Sequence, residues 1–284
     1  MTLVDRICEQ VNSLPTLPTI YSALNELIEN PRATPEDAAK VIATDQATAF
    51  KILRSANSAF YGLNGRVDTI SQAIIHLGFN EIKNLVAAIS IVNMFKKNSN
   101  IDNFCPVDFW AHSIGVGVMT RFIGQVIGLG NVENFFLAGI LHDLGKLIFV
   151  EYAKEEYIEA LRIAEEKGIP LRDAEMTVLG IDHTFAGELL SDRWKFPESI
   201  KQAIRYHHLG TMDDKHNVIV ASVHVANICA KLFAMGYSGD GIIPEPNYKV
   251  WEVLRLPDNV FKGSIQSIMR DYEITVGQLL HNNP

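Results

Sequence analysis

The chain has 284 residues, of which 48% are hydrophobic and 20% are charged, and its formal net charge is −8 at pH 7. The hydrophobic fraction is typical of a folded globular chain and excludes wholesale disorder. The acidic balance and the lack of any Lys/Arg run longer than two residues argue against a basic face, so we expect no direct nucleic-acid binding.

The N-terminal segment "MTLVDRICEQVNSLPTLPT" contains no long apolar stretch, so we predict no signal peptide. The most apolar run, "NLVAAISIVNMF", is too short to cross a bilayer. The cysteines are far apart and lack C-x-x-C spacing, which argues against a disulfide framework and a thiolate zinc site. We therefore expect a soluble cytoplasmic protein that does not contact a membrane.

The first half is predicted to be helical. In "TPEDAAKVIATD", Thr34 is the predicted N-cap, Pro35 takes the first helical position and Asp37 lies in the first turn. Apolar residues recur at helical spacing in three further segments, "PTIYSALNELIEN", "QATAFKILRSANSAF" and "NEIKNLVAAISIVNMF". The polar stretch 96–106, "KKNSNIDNFCP", ends in proline and is the predicted boundary to a second helical half.

The second half is also predicted to be helical, and it includes one continuous apolar segment, "ENFFLAGILHDLGKLIFVEYA". Residues 236–247, "GYSGDGIIPEPN", are rich in turn-forming residues. No segment alternates apolar and polar residues as a half-buried strand does. The predicted fold class is therefore all-α. A helical N-terminal subdomain (1–98) would pack on a helical bundle (107–235), and a C-terminal helical tail (236–284) would belong to the same unit.

Ionisable residues are unusually frequent on the predicted helices of the second half. Five histidines and one aspartate lie there: His112, His142, Asp143, His183, His207 and His208. Helical bundles form metal sites from side chains that project inward from facing helices, and a His/Asp set without cysteine suits Fe, Mn, Ni or Zn. Because a single buried histidine more often bonds its own backbone, spacing alone leaves both interpretations open.

These residues resemble a known pattern. His112, the pair His142–Asp143 and the later helix "VHVANICAKL" resemble the HD superfamily of metal-dependent phosphohydrolases. The motif "HDLGK", followed by His183 and the pair His207–His208, is closer to the HD-GYP branch, whose members hydrolyse a cyclic dinucleotide. The resemblance implies that residues 107–235 form an HD-type helical bundle.

The first half resembles the opening of HDOD domains, the HD-related output domains of bacterial signalling proteins. The segments "LPTLP", "LRSANSAFYG" and "AIIHLG" carry this resemblance, which in total covers about residues 10–235. The resemblance implies a regulatory module whose catalytic residues have been eroded. The segment 55–62, "SANSAFYG", is interpreted either as close packing between helices or as a recognition surface.

The resemblance also implies a set of ligands for one or two divalent transition-metal ions. One cation would be held by His112, His142 and Asp143. A second cation, bridged to the first through Asp143, would be held by the remaining histidines: His183, His207 and His208.

Two positions of this ligand set are weaker. HD enzymes place an Asp where this chain has Asn227, whose neutral amide offers one oxygen. Asp108 matches an extra carboxylate of three-metal sites, and it is equally well explained as a surface residue. Two cations with Asp143 as the only carboxylate would carry excess positive charge, which predicts a bound phosphate or another anion.

Two functions of different classes follow. In the first, the chain is a regulatory signalling module that retains a metal centre and binds a signalling protein or a phosphate-containing small molecule. In the second, it is a metal-dependent phosphohydrolase acting on a phosphomonoester, a nucleotide or a cyclic dinucleotide. We favour the module, because Asn227 and the lack of a GYP segment after His208 argue against a fast enzyme. A purely structural protein would leave the histidines unexplained.

In the enzyme, Asp143 and Lys146 would be the catalytic residues. Lys146 lies four residues after His142 and would neutralise a phosphate oxygen. The alternative is a surface lysine beside Glu151 or Glu155.

Overall fold

The computed structural model describes residues 2–14, 17, 19–63, 65–95, 101, 104–129, 132–212 and 215–280. Within these residues the chain forms helices and one isolated bridge between Ile101 and Phe104, and it forms no strand. The prediction of an all-α fold is confirmed. In chain order the helices are α1 (Leu3–Ser13), α2 (Thr19–Glu29), α3 (Pro35–Ile42), α4 (Gln46–Ala56), α5 (Ile70–Leu77), α6 (Phe79–Phe95), α7 (Pro106–Val126), α8 (Glu133–Leu141), α9 (Gly145–Tyr152), α10 (Lys154–Lys167), α11 (Leu171–Val178), α12 (His183–Arg193), α13 (Glu198–Tyr206), α14 (Asn217–Leu232), α15 (Lys249–Leu254) and α16 (Val260–Leu279).

The helices fall into two compact units. The site unit comprises residues 1–15 and 95–264, and the second unit comprises residues 16–94 and 265–284. Helix α1 therefore clusters with the second half of the sequence, and most of α16 clusters with the first half. The assignment of functional domains to 1–98, 107–235 and 236–284 stays a prediction. The predicted boundary at 96–106 falls mostly outside the described residues.

The second unit is built from helices with strong local start signals. Thr34 caps α3 with a reciprocal capping box to Asp37, and Pro35 opens the helix, as predicted. In the "SANSAFYG" segment, Asn57 accepts a hydrogen bond from the Val67 amide at 2.8 Å and donates to the Val67 carbonyl at 2.7 Å. Asn57 thus closes the loop that follows α4, and both of these hydrogen bonds lie within the second unit.

Close helix packing in the site unit depends on glycines. A Cβ atom on Gly139 of α8 would lie 2.6 Å from the Cα atom of Gly117 on α7. A Cβ atom on Gly145 of α9 would lie 1.9 Å from the carbonyl oxygen of His183, where α12 begins. The backbones of these helix pairs therefore touch directly, which brings the histidines near their ends together.

The apolar segment "ENFFLAGILHDLGKLIFVEYA" is mostly helical, but a turn divides it into two helices. Helix α8 ends at Leu141, and residues 142–144 form a turn before α9. The amide of Leu144 bonds the Leu141 carbonyl and the amide of Lys146 bonds the Asp143 carbonyl, each at 3.0 Å. Side chains three residues apart eclipse one another in such a tightened turn, so Asp143 and Lys146 point the same way.

No single helix in the described part of the chain is long and apolar enough to cross a membrane. By length and composition alone, one pair passes the same test together, α5 with α6, and it is bent by 117°.

Candidate metal centre

The structure brings the predicted ligands of the site unit into two groups that share Asp143. The first ligand group is His112, His142 and Asp143, and the second ligand group is Asp143, His183, His207 and His208. In each group the candidate ligand atoms lie within 4.8 Å of one another. His208 is partly exposed, and the remaining members are buried. Helices α7, α8, α12 and α13 contribute these residues from within or from their ends.

Three of the histidines are oriented in the same way. The Nδ1 atom of His142 lies 2.8 Å from the Gly139 carbonyl, and that of His207 lies 2.9 Å from the Ile204 carbonyl. A neutral ring that donates from Nδ1 has its lone pair on Nε2. The Nδ1 atom of His183 is likewise occupied, at 2.6 Å from a Glu175 oxygen. All three Nε2 atoms point toward Asp143.

The spacing of these atoms suits a small cation. Oδ1 of Asp143 lies 3.2 Å from Nε2 of His183 and 3.6 Å from Nε2 of His207. Nε2 of His183 lies 2.9 Å from Nε2 of His208. Metal–nitrogen bonds of about 2.1 Å place neighbouring ligands roughly 3.0–3.4 Å apart. The second ligand group is therefore close to coordination spacing.

Three buried ligand atoms lack a hydrogen-bond partner within the described chain. They are Nε2 of His142, Oδ1 of Asp143 and Nε2 of His207. A buried polar atom without a partner costs about 1–3 kcal/mol, so three in one place require an explanation. A divalent cation bound by imidazole and carboxylate supplies it, and the residues present fit such an ion.

Lys146 is buried inside the centre, so the alternative of a surface lysine near Glu151 or Glu155 is wrong. Its Nζ atom donates to Oδ2 of Asp143 at 2.7 Å and to the Ser238 carbonyl at 2.9 Å. Burial alone would lower the pKa of Lys146, but the Asp143 carboxylate raises it above its usual value. The ammonium therefore holds one oxygen of Asp143 and leaves the other facing the second ligand group.

Glu175 is a member of the centre that sequence reasoning missed. It is fully buried on α11, and its Oε2 atom accepts from the His183 amide at 2.9 Å and from His183 Nδ1 at 2.6 Å. Burial alone would lower the pKa of His183, but the carboxylates of Glu175 and Asp143 raise it to about 9. The sequence carries one signal for this role, because Glu175 lies on the apolar stripe that Leu171, Ala174 and Val178 define.

Three other imidazoles of the centre are suited to metal binding by their charge state. Burial and the neighbouring His142 lower the pKa of His112 to about 3. Burial also lowers the pKa of His207 and of His208 well below the usual value. These rings are neutral at pH 7, which is the form that coordinates metal.

Two weaker candidates are placed differently. Oδ1 of Asn227, on α14, lies 3.0 Å from Nε2 of His112, so these side chains bond each other. Asp108 is exposed on α7 and lies outside both ligand groups of the described residues. The structure thus brings Asn227 to the predicted ligand His112 and leaves Asp108 on the surface.

The turn-rich segment 236–247 contacts both sides of the centre. Ser238 accepts from Lys146 through its carbonyl, as described above. The amide of Asn247 donates to Nε2 of His224 at 3.0 Å, and Nδ1 of His224 donates to the His207 carbonyl at 2.7 Å. Both nitrogens of His224 are therefore occupied, which makes this histidine a support for His207 rather than a ligand.

Comparisons with known proteins identify the family and the fold of the chain. The HDOD domain model matches residues 14–209. The chain is similar to a solved HDOD domain protein of unknown function from Geobacter sulfurreducens, with 25% identity and a TM-score of 0.81 over 96% of this chain and 97% of that one. In fold it is also similar to a candidate metal-dependent phosphohydrolase from Shewanella amazonensis, with 17% identity and a TM-score of 0.71 over 98% and 96% of the two chains.

An uncharacterized protein of Treponema pallidum is 25% identical over 228 residues, which is 80% of this chain and 44% of that protein. The chain spans less than half the length of the curated relatives it matches. The family match covers most of the chain and accords with its all-helical fold, so the protein belongs to the HDOD domain family.

Proposed function

We propose that the protein is a regulatory signalling module whose His/Asp centre binds a divalent transition-metal ion. The observation that carries the proposal is the convergence of three partnerless buried atoms, on His142, Asp143 and His207. Fe, Mn, Ni and Zn suit this ligand chemistry, because imidazole nitrogens outnumber the carboxylates. The partner is a signalling protein or a phosphate-containing small molecule.

The second ligand group is the better cation site of the two. Oδ1 of Asp143 and Nε2 of His207 face it without a hydrogen bond, and His183 and His208, whose Nε2 atoms bond each other at 2.9 Å, complete it. In the first ligand group, Oδ2 of Asp143 already accepts from the Lys146 ammonium, and His112 is bonded to Asn227. A cation in the first ligand group would compete with the Lys146 ammonium. It would also lack the carboxylate that HD enzymes place where this chain has Asn227.

A phosphohydrolase is the second candidate, favoured by the way Asp143 joins the two ligand groups. A pair of cations sharing a carboxylate activates water and stabilises a phosphoryl oxygen. In that reaction His183, His207 and His208 would orient one side, and His112 and His142 the other. Lys146 would have to exchange its bond with Asp143 for a substrate phosphate, and Asn227 would supply no charge. We therefore favour the module over a fast enzyme.

Elemental analysis of the purified chain tests the metal site. The wild type, Asp143→Ala and Asp108→Ala would be loaded with Mn²⁺ or Zn²⁺ and desalted, and the metal per chain would then be measured. We expect metal in the wild type and in Asp108→Ala, and little in Asp143→Ala. Asp143 belongs to both ligand groups, whereas Asp108 belongs to neither. Equal metal content in all three would contradict the site.

The same three proteins separate the two functions. They would be assayed against phosphomonoesters, nucleotides and cyclic dinucleotides, and titrated with inorganic phosphate to test for anion binding. The module predicts no turnover above that of Asp143→Ala. Metal-dependent turnover that Asp143→Ala abolishes would favour the phosphohydrolase.

A further inference from the structure

We propose that Glu175 is a positioning residue that fixes His183 for metal binding and directs the cation to the second ligand group. The inference rests on the proposed metal-binding function and assigns a role to a residue outside the ligand set. Glu175 reaches the centre from α11, whereas the ligand that it holds opens α12.

The contacts of Glu175 restrict both the position and the tautomer of His183. One carboxylate oxygen accepts from the His183 amide at 2.9 Å and from its ring Nδ1 at 2.6 Å. The amide bond fixes the start of α12, and the ring bond turns Nε2 toward Oδ1 of Asp143, 3.2 Å away. A carboxylate behind a metal-binding histidine also makes its ring a stronger donor.

The charge of Glu175 distinguishes the two ligand groups. A divalent cation in the second ligand group, with Asp143, Glu175 and Lys146 nearby, leaves a formal net charge of about +1. Without Glu175 the same centre would carry about +2, among side chains that are mostly buried. The first ligand group has no equivalent carboxylate among the described residues, because Asn227 is neutral.

A purely structural role is the alternative explanation. Glu175 joins α11 to the start of α12, and a substitution that breaks this link would lower the stability of the apoprotein. That role predicts an unchanged metal affinity for the folded fraction. Metal affinity and the coordination spectrum therefore separate positioning from structural support.

The experiment compares Glu175→Gln with Asp173→Asn, which removes a carboxylate from an exposed position of the same helix. The dissociation constant for Zn²⁺ and the visible absorption of the Co²⁺ form would be measured on the full chain, with unfolding curves of each apoprotein. We expect Glu175→Gln to weaken Zn²⁺ binding about 10–100-fold and to change the Co²⁺ spectrum. Asp173→Asn should match the wild type.

Two further variants keep the test decisive if Glu175→Gln does not fold: Glu175→Asp retains the charge, and Glu175→Ala removes it. We expect Glu175→Asp to bind Zn²⁺ more tightly than Glu175→Ala. Equal affinities of these two variants, or wild-type binding by folded Glu175→Gln, would overturn the inference while the metal site stands. A wild type that binds no metal would overturn both.

Discussion

Asp143 is the residue at which the ligand groups meet, and its two oxygens have different surroundings. Oδ2 accepts from Lys146 and lies 3.3 Å from Nε2 of His142, whereas Oδ1 faces His183 and His207. Although burial alone would raise it, the neighbouring His142 and Lys146 hold the pKa of Asp143 well below its usual range. The carboxylate is therefore charged and almost fully desolvated.

Replacing Lys146 by Met tests this pair. The variant keeps the length of the side chain but leaves the buried Asp143 charge without its ammonium. We expect the free energy of unfolding of the metal-free protein to fall by about 3–5 kcal/mol. Chemical denaturation measures the change, with Lys154→Met, at an exposed position, as the control. Equal stability of the two variants would show that the Lys146–Asp143 pair contributes nothing to the free energy of unfolding.

Replacing Asn227 by Asp tests the deficiency of the first ligand group. The new carboxylate would lie beside His112, about where the Asn227 amide oxygen now lies, and would add the missing charge. We expect affinity for a second divalent ion to rise about tenfold or more, because opposite charges attract strongly at buried sites. Calorimetric titration with Mn²⁺ reports it. The gain should vanish in the double variant with His112→Ala; a gain that persists would place the ion elsewhere.

Residues of the centre differed in how far the sequence alone predicted them. The histidines and Asp143 were predicted because the motif "HDLGK" and its companions resemble a known family. Glu175 was missed because it acts from another helix, and no short spacing rule connects α11 with the ring of His183. For Lys146 the sequence left a catalytic and a surface position open, since its second partner is the distant carbonyl of Ser238.

At the scale of elements, local signals predicted the helices well but missed the break between α8 and α9. The start of α3 was predicted because Thr34, Pro35 and Asp37 act within one turn. The break between α8 and α9 was missed because the segment is apolar on all sides, so its periodicity contains no information about a turn. The close approach of α9 to α12 at Gly145 is a tertiary contact that composition does not report.

Replacing Gly145 by Ala tests the contact between α9 and α12. Its Cβ atom would lie 1.9 Å from the His183 carbonyl oxygen and 2.7 Å from the Gly187 amide nitrogen, both backbone atoms that cannot rotate away. We expect the free energy of unfolding to fall by about 3 kcal/mol, the upper end of the usual cost of overpacking. Gly263→Ala, in α16 with no heavy atom near the added Cβ, should instead stabilise by about 0.5–1 kcal/mol. Similar changes in the unfolding free energy of both variants would show that helix propensity, and not the contact with α12, determines the effect of Gly145→Ala.

At the scale of the whole molecule, the chain does not divide at one point in the sequence. Helix α1 belongs to the site unit, and most of α16 belongs to the second unit. Lys51, on α4, donates to the Leu279 carbonyl at 3.2 Å, a bond that spans most of the sequence inside the second unit. Sequence patterns describe neighbours within a turn or two, so they do not reveal which distant helices pack together.

Metal binding should protect the site unit against hydrogen exchange. The ligands come from the ends of several helices, so a bound ion ties together segments that otherwise open separately. We expect slower exchange in peptides that contain His142, His183 and His207 when Zn²⁺ is added. The same peptides of Asp143→Ala should not change. Protection in that variant would mean that Zn²⁺ binds at another site.

The segment 236–247 joins the two sides of the centre into a ring that lacks one link. From Asp143 the bonds lead to Lys146 and the Ser238 carbonyl, along the segment to Asn247, and through His224 to the backbone of His207. Nε2 of His207 faces Oδ1 of Asp143 again at 3.6 Å without a hydrogen bond, so a cation held by both side chains would complete the ring. If one hydrogen bond of such a ring is lost, the residues on either side of it remain connected through the rest of the ring. With a cation bound, the arrangement of the ligands is therefore expected to tolerate the loss of a single supporting bond and to fail when two are removed.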